Sequence, residues 1–115
     1  MVNVYDYAHS LARALKESPE HQAYQAARTR VKAKASADAM VKDIHKKQLE
    51  LQMVIAQGKE PSAQQKEALE KLAGVAMQDP DVREFLMAEQ RLGTIVNDVY
   101  KILGEALDLE LPAGM

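Results

Sequence analysis

Three histidines are the residues with the most versatile chemistry in this chain of 115 residues. His9, His21 and His45 are scattered along the sequence, and His9 follows Asp6 at a spacing that places both side chains on one helical face. A di-iron helical bundle needs two Glu-x-x-His pairs and two further carboxylates. The sequence offers no second pair, so we predict no metal site and interpret Asp6 and His9 as a surface contact.

The sequence contains no serine in a nucleophile elbow and no phosphate-binding loop. The absence of cysteine excludes disulfides, thiolate-bound zinc, iron–sulfur clusters and a cysteine nucleophile. Ser18, Ser36 and Ser62 stand where helices are predicted to begin, and the five glycines are isolated. We therefore predict no catalytic residue, no cofactor and no small-molecule substrate, and a protein that is not an enzyme.

Charge is distributed unevenly along the chain, although the net charge is only −2. Residues 1–47 carry nine basic and five acidic side chains, whereas residues 48–115 carry six and twelve. One hypothesis is a patch that binds RNA phosphates or an acidic protein. The alternative is a solvated face whose charge complements the other half of the chain in a dimer. The candidate partner-binding residues of this region are Arg28, Arg30, Lys32 and Lys34.

No segment of the sequence is long and apolar enough to cross a membrane. The longest uninterrupted apolar stretch, Met53 to Ala56, is far shorter than the ~20 residues that a spanning helix needs. The first fifteen residues lack the basic and apolar regions of a signal peptide. We therefore predict a cytoplasmic protein without membrane insertion.

Helix signals dominate, and strand signals are poor. Pro19, Pro61 and Pro80 each stand beside a residue that can cap a helix. We predict an all-α fold, an elongated five-helix bundle with two long antiparallel helices at about 36–57 and 80–104. The shorter helices are predicted at 4–17, 19–34 and 62–78. Residues 1–107 are predicted to form a single helical domain, and residues 108–115 a flexible C-terminal tail.

Both long helices carry apolar residues at alternating spacings of four and three, the pattern of helices that pack side by side. One polar residue interrupts each stripe, Gln48 in the first and Glu89 in the second. These two residues either lie partly buried within one chain or fix the register of a homodimer. We predict a homodimer, because the apolar face of the last helix is wider than one partner helix covers. Its candidate interface consists of Gln48, Leu51, Ile55, Glu89, Leu92, Val96 and Val99.

Three segments resemble the YlbF/YmcA family of small helical proteins from Gram-positive bacteria, with the closest likeness to its YheA-like branch. They are Val4-Tyr5-Asp6-Tyr7-Ala8, Gln48-Leu49-Glu50-Leu51-Gln52 and, above all, Met87-Ala88-Glu89-Gln90-Arg91-Leu92. The likeness extends over nearly the whole chain, and Gly58 and Asp79-Pro80 fall at matching breaks.

The resemblance implies an all-helical, dimer-forming cytoplasmic protein without assigned catalytic residues. Some members of the family regulate competence, biofilm formation and sporulation in a complex that affects messenger RNA processing. Those members are linked to iron–sulfur clusters through cysteines, so that cofactor does not carry over to this chain. We expect a dimeric helical adaptor or regulatory protein-interaction module. The alternative is an RNA-associated accessory factor that uses the basic region. In the Glu-Gln-Arg motif, Glu89 lies on the inner stripe, while Arg91 points away and is predicted to be available to a partner.

Overall fold

The computed structural model describes residues 3–110, and these residues form helices without any strand. The two long helices, α3 and α5, contain 22 and 28 residues. The predicted all-α class and the five predicted helices are therefore confirmed. In chain order the helices are α1 (Val4–Glu17), α2 (Pro19–Lys32), α3 (Ala35–Ala56), α4 (Ala63–Ala76) and α5 (Pro80–Leu107).

Short polar side chains begin several of these helices, as the sequence predicts. The Ser62 hydroxyl accepts a hydrogen bond from the Gln65 backbone N–H, and the Gln65 side chain accepts one from the Ser62 N–H, which completes a capping box. At the start of α5, Asp79 Oδ1 accepts from the backbone N–H groups of Asp81 at 2.9 Å and Val82 at 3.4 Å. Each contact satisfies an amide that has no partner within its helix.

Several predicted helix boundaries differ from those of the structure by one to three residues. Helix α2 ends at Lys32 rather than Lys34, and α3 begins at Ala35, with extended Lys34 rather than Ser36 before it. Helix α5 continues through Gly104 to Leu107, because one glycine costs a helix only about 1 kcal/mol relative to alanine. Residues 108–110 of the predicted tail follow the end of α5, and residues 111–115 lie outside the described residues.

Helices α3 and α5 end in the same hydrogen-bonding motif but with different residues. At the end of α3, Gly58 has φ +79°, and the Lys59 N–H donates to the Val54 carbonyl at 3.2 Å. At the end of α5, Asp108 has φ +54°, and the Leu109 N–H donates to the Gly104 carbonyl at 3.0 Å. This Schellman motif requires a left-handed residue, which glycine adopts without the steric cost of a side chain. The ending of α3 at Gly58 is thus confirmed.

The chain divides into two compact units. We call Ala27–Phe85 the central unit, and residues 1–26 together with 86–115 the terminal unit. The single domain predicted for residues 1–107 stays a prediction. In the central unit α3 packs against α4, and the rings of His45 and Phe85 lie 6.2 Å apart.

The buried side chains are concentrated in the central unit. Of the nine buried apolar residues in the described chain, eight belong to it, and only Ala88 belongs to the terminal unit. Ile44, Val31 and Val82 are the largest side chains without solvent exposure. The central unit therefore has a hydrophobic core of its own. Its other buried residues are Ala27, Ala37, Val41, Ala76 and Phe85.

Candidate interaction surfaces

Part of the predicted basic region is engaged in ion pairs within the central unit. Lys34 Nζ lies 3.0 Å from a carboxylate oxygen of Asp81 and 3.3 Å from Asp79. Arg30 lies 2.9 Å from Glu84 and 3.8 Å from Asp81. These five residues, which we call the charge clamp, connect the end of α2 to the start of α5. The clamp neutralises two of the four cations on which the predicted patch depends.

The contacts within the charge clamp shift the pKa values of Lys34 and Asp79. Hydrogen bonds to Asp81 and then to Asp79 raise the pKa of Lys34 above its ordinary value. Burial opposes ionisation of Asp79, but hydrogen bonds from Lys34 and from the backbone N–H groups of Val82 and Asp81 outweigh it. The pKa of Asp79 therefore lies below its ordinary value. Both shifts favour the charged forms and so stabilise the folded clamp at neutral pH.

The remaining cations of the predicted patch differ in their surroundings. Lys32 lies 3.9 Å from Asp38, which also pairs with Lys42 at 3.0 Å. The hydrogen bond from Lys42 lowers the pKa of Asp38. Arg28 and Arg91 are exposed, and neither forms an ion pair with any residue of 3–110. Arg28 and Arg91 are therefore the predicted partner-binding residues that remain available.

The predicted dimer-interface residues fall in both units. On α3 of the central unit, Gln48 and Ile55 are exposed and Leu51 is half-buried. On α5 of the terminal unit, the four predicted residues are half-buried: Glu89, Leu92, Val96 and Val99. The dimer interface itself stays a prediction.

Helix α1 presents an apolar face that nothing in the described chain buries. Its sequence is strongly amphipathic, with Val4, Tyr7, Leu11 and Leu15 on one side. None of its residues is buried, and Val4 is 73% and Tyr7 65% exposed. Periodicity alone does not show whether such a stripe is covered by another helix.

The C-terminal part of α5 also exposes large apolar side chains. Ile102 is 65% exposed, Leu107 61% and Leu103 43%. Leu103 and Leu107, four residues apart, lie one above the other on the helix, and Ile102 lies about 100° around the helix axis from Leu103. We call Val4, Tyr7 and Leu11 the α1 face, and Ile102, Leu103 and Leu107 the α5 face. Both faces belong to the terminal unit.

An open groove of about 440 Å³ lies beside α3 and α4 in the central unit. Its wall is mixed, with a lysine, a glutamate, amides and two apolar side chains. The Ser62 hydroxyl at its edge is already used as the cap of α4. The lining of the groove therefore offers hydrogen-bond donors and acceptors. Its lining residues are Lys47, Glu50, Leu51, Ser62, Gln64, Gln65 and Ala68.

The described chain does not fit the cofactor linked to the resembled family. The sequence contains no cysteine, so thiolate ligands for an iron–sulfur cluster are absent. Within residues 3–110, no three histidine, aspartate or glutamate side chains are grouped as metal ligands. The same residues include no helix with the length and apolarity to span a bilayer.

Comparison with known proteins identifies the family. The pattern of the family described as "Control of competence regulator ComK, YlbF/YmcA" matches residues 4–108. A UPF0342 protein of Symbiobacterium thermophilum is 59% identical over 109 residues, which cover 95% of this chain and 97% of that protein. A UPF0342 protein of Caldicellulosiruptor saccharolyticus is 40% identical, covering 96% of this chain and 92% of its own length.

Two solved structures share the fold. A protein of unknown function (DUF964) from Bacillus stearothermophilus superimposes with a TM-score of 0.77 at 21% identity, covering 91% of this chain and 92% of that one. The yheA protein from Bacillus subtilis gives a TM-score of 0.67 at 24% identity, with 93% and 97% covered. With the family match over nearly its full length, this chain belongs to the YlbF/YmcA family and has the fold of its YheA-like members.

Proposed function

We propose that this protein is a non-enzymatic helical adaptor, which acts by binding other proteins in a regulatory complex. The observation that carries the proposal is the number of large apolar side chains left in solvent, from Val4 on α1 to Leu107 on α5. Isolated exposed apolar residues are ordinary, but whole helical faces of them mark interaction surfaces.

The family description supports a regulatory role for such an adaptor. It concerns control of the competence regulator ComK, and control of a regulator requires recognition of other macromolecules rather than turnover of a metabolite. We therefore propose that this chain is a module that acts in the cytoplasm by contacting other proteins.

The alternative is an RNA-associated accessory factor, and the charge clamp weakens it. Arg30 and Lys34 already contact carboxylates, so a phosphate backbone would have to displace them. Of the five predicted partner-binding cations, Arg28 and Arg91 alone are outside ion pairs within residues 3–110, which reduces the number of phosphate contacts that those five residues can make.

Affinity co-purification separates the two functions. The tagged full-length protein is expressed in a Gram-positive host, and its lysate is divided into nuclease-treated and untreated halves. We expect a protein partner that is retained after nuclease treatment and in raised salt, because apolar contacts are insensitive to counterion release.

A matched pair of variants completes the test. Arg28→Glu should leave the capture unchanged, as should Lys59→Glu, an exposed cation on the loop after α3. Loss of every partner with nuclease, together with loss in Arg28→Glu alone, would support the RNA-associated factor. Recovery of the tagged chain alone would overturn the adaptor.

A further inference from the structure

We infer that the solvent-facing side of α3 binds an acidic amphipathic helix of a partner protein. We call Lys42, Lys46, Leu49 and Met53 the outer face, and all four residues belong to the central unit. The inference rests on the adaptor function proposed above. It specifies one place where a partner binds and the chemistry that this partner presents.

The outer face lies opposite the buried side of α3. At about 100° per residue, spacings of four, three and four place its four side chains within about 60° of one another around the helix axis. Ala37 and Ile44, which are buried in the core, lie about 150° or more from the centre of this face. The packing of the central unit therefore uses the other side of α3 and leaves the outer face in solvent.

The apolar half of the outer face consists of two large side chains one helical turn apart. Leu49 is 56% exposed and Met53 is 55% exposed. A single exposed apolar residue is ordinary, but apolar residues four apart are the anchors with which one amphipathic helix binds another. The flexible methionine side chain can adapt to the shape of a partner. Helix α3 therefore offers apolar contacts on two sides, one for its own core and one for a second helix.

The other half of the outer face carries positive charge. Lys46 is exposed and forms no ion pair within the described part of the chain. The side chain of Lys42 is 70% exposed and lies 3.0 Å from Asp38, which also pairs with Lys32 at 3.9 Å. One carboxylate thus serves two lysines, and a third lysine has none. Carboxylates of a partner would complement this excess of positive charge.

The same charges argue against a second copy of this chain as the occupant. In a two-fold dimer the same patch meets itself, so it must contain both members of each ion pair. The outer face contains Lys42 and Lys46 but no carboxylate. A nucleic acid is also disfavoured, because its phosphates would leave Leu49 and Met53 without apolar contacts. The surface fits a helix that has apolar residues at spacings of three and four and aspartate or glutamate beside them.

Site-specific photo-crosslinking identifies the occupant. A benzophenone amino acid replaces Leu49 in the full-length chain, and the protein is irradiated inside a Gram-positive host. Val75, which is 55% exposed on α4 of the same unit, is the matched control position. We expect a protein crosslink from position 49 but not from position 75. Mass spectrometry of the crosslinked peptide should locate it in an amphipathic segment with carboxylates beside its apolar residues.

A synthetic peptide of the crosslinked segment then measures the two halves of the outer face separately. By fluorescence anisotropy, we expect Leu49→Glu and Lys46→Glu each to raise the dissociation constant about tenfold or more. The matched controls Val75→Glu and Lys66→Glu, at exposed positions on α4, should leave it unchanged. A peptide whose carboxylates are replaced by lysines should bind Lys46→Glu more tightly than the wild-type protein. Misfolding could not produce such a reversal, and far-UV circular dichroism checks that each variant remains helical.

Each alternative occupant gives a different result. A crosslink from position 49 to a second copy or to RNA would overturn the inference, as would unchanged peptide affinity in both outer-face variants. A protein partner that co-purifies with the chain but crosslinks equally from both positions, or from neither, would overturn this location and leave the adaptor function standing. Absence of a protein partner from both co-purification and crosslinking would overturn the adaptor function as well.

Discussion

The central and terminal units are both built from α-helices, yet they differ in what they bury. The central unit encloses Val31, Ile44, Val82 and Phe85, whereas the terminal unit leaves Val4, Tyr7 and Ile102 in solvent. Helical pattern alone therefore does not make a unit self-sufficient. We propose that the unit with the closed core serves as the scaffold and that the other unit supplies surface for binding a partner.

The largest expected effect comes from removing core volume in the central unit. Ile44→Ala should lower the free energy of unfolding by about 2–5 kcal/mol, since it deletes a fully buried side chain and leaves a cavity. Ile102→Ala removes the same atoms from a side chain that is 65% exposed, and its effect on the isolated chain should be far smaller. Urea denaturation of both variants at low protein concentration measures the contrast. Equal losses would show that the terminal unit is as well packed as the central one.

The next largest expected effect is on folding stability, and it comes from the charge clamp. This contribution of the clamp depends on pH. Because the pKa of Asp79 is lowered, its stabilising contribution is present above the ordinary value of 3.8 and is lost as the pH falls through the lower folded value. Because the pKa of Lys34 is raised, its contribution is present below 10.5 and is lost as the pH rises through the higher folded value.

We therefore expect Lys34→Met to lower the melting temperature at pH 7 and to flatten the loss of stability in acid. Lys59→Met, which removes an exposed lysine outside the clamp, should change neither. Differential scanning calorimetry from neutral pH to pH 3 compares the two variants with the wild-type protein. An unchanged acid profile in Lys34→Met would show that the clamp does not couple protonation to folding.

The smallest expected effect concerns the Schellman motif that ends both α3 and α5. Asp108→Gly should stabilise the protein by about 1 kcal/mol, because glycine adopts the left-handed conformation without steric cost. Gly58→Asp should destabilise the end of α3 by a similar amount. Thermal denaturation of both variants checks the opposite signs, and a loss of stability in Asp108→Gly would show that the aspartate side chain has a further role there.

Much of the fold could be predicted because its signals are local. Ser62 and Asp79 are short acceptors directly before helices, and Gly58 follows the last apolar turn of α3, so their roles depend only on neighbouring residues. The end of α2 was missed because Lys34 is extended and its side chain is held by Asp79 and Asp81, 45 and 47 residues away.

The interaction surfaces were predictable only in part, because their contacts join residues that are far apart in the sequence. The sequence identified cations at Arg30 and Lys34 but not the carboxylates that neutralise them, since those arrive from the start of α5. The spacing of Val4, Leu11 and Leu15 marks an apolar stripe on α1. Whether another helix covers that stripe depends on the packing of distant segments, which periodicity does not encode.

Hydrogen exchange of the full-length protein tests the central claim most directly, namely that the central unit encloses a hydrophobic core of its own and the terminal unit does not. We predict that the α3 amides are more strongly protected than the α1 amides, because α3 contributes buried side chains and α1 contributes none. Equal protection of the two helices would contradict the account.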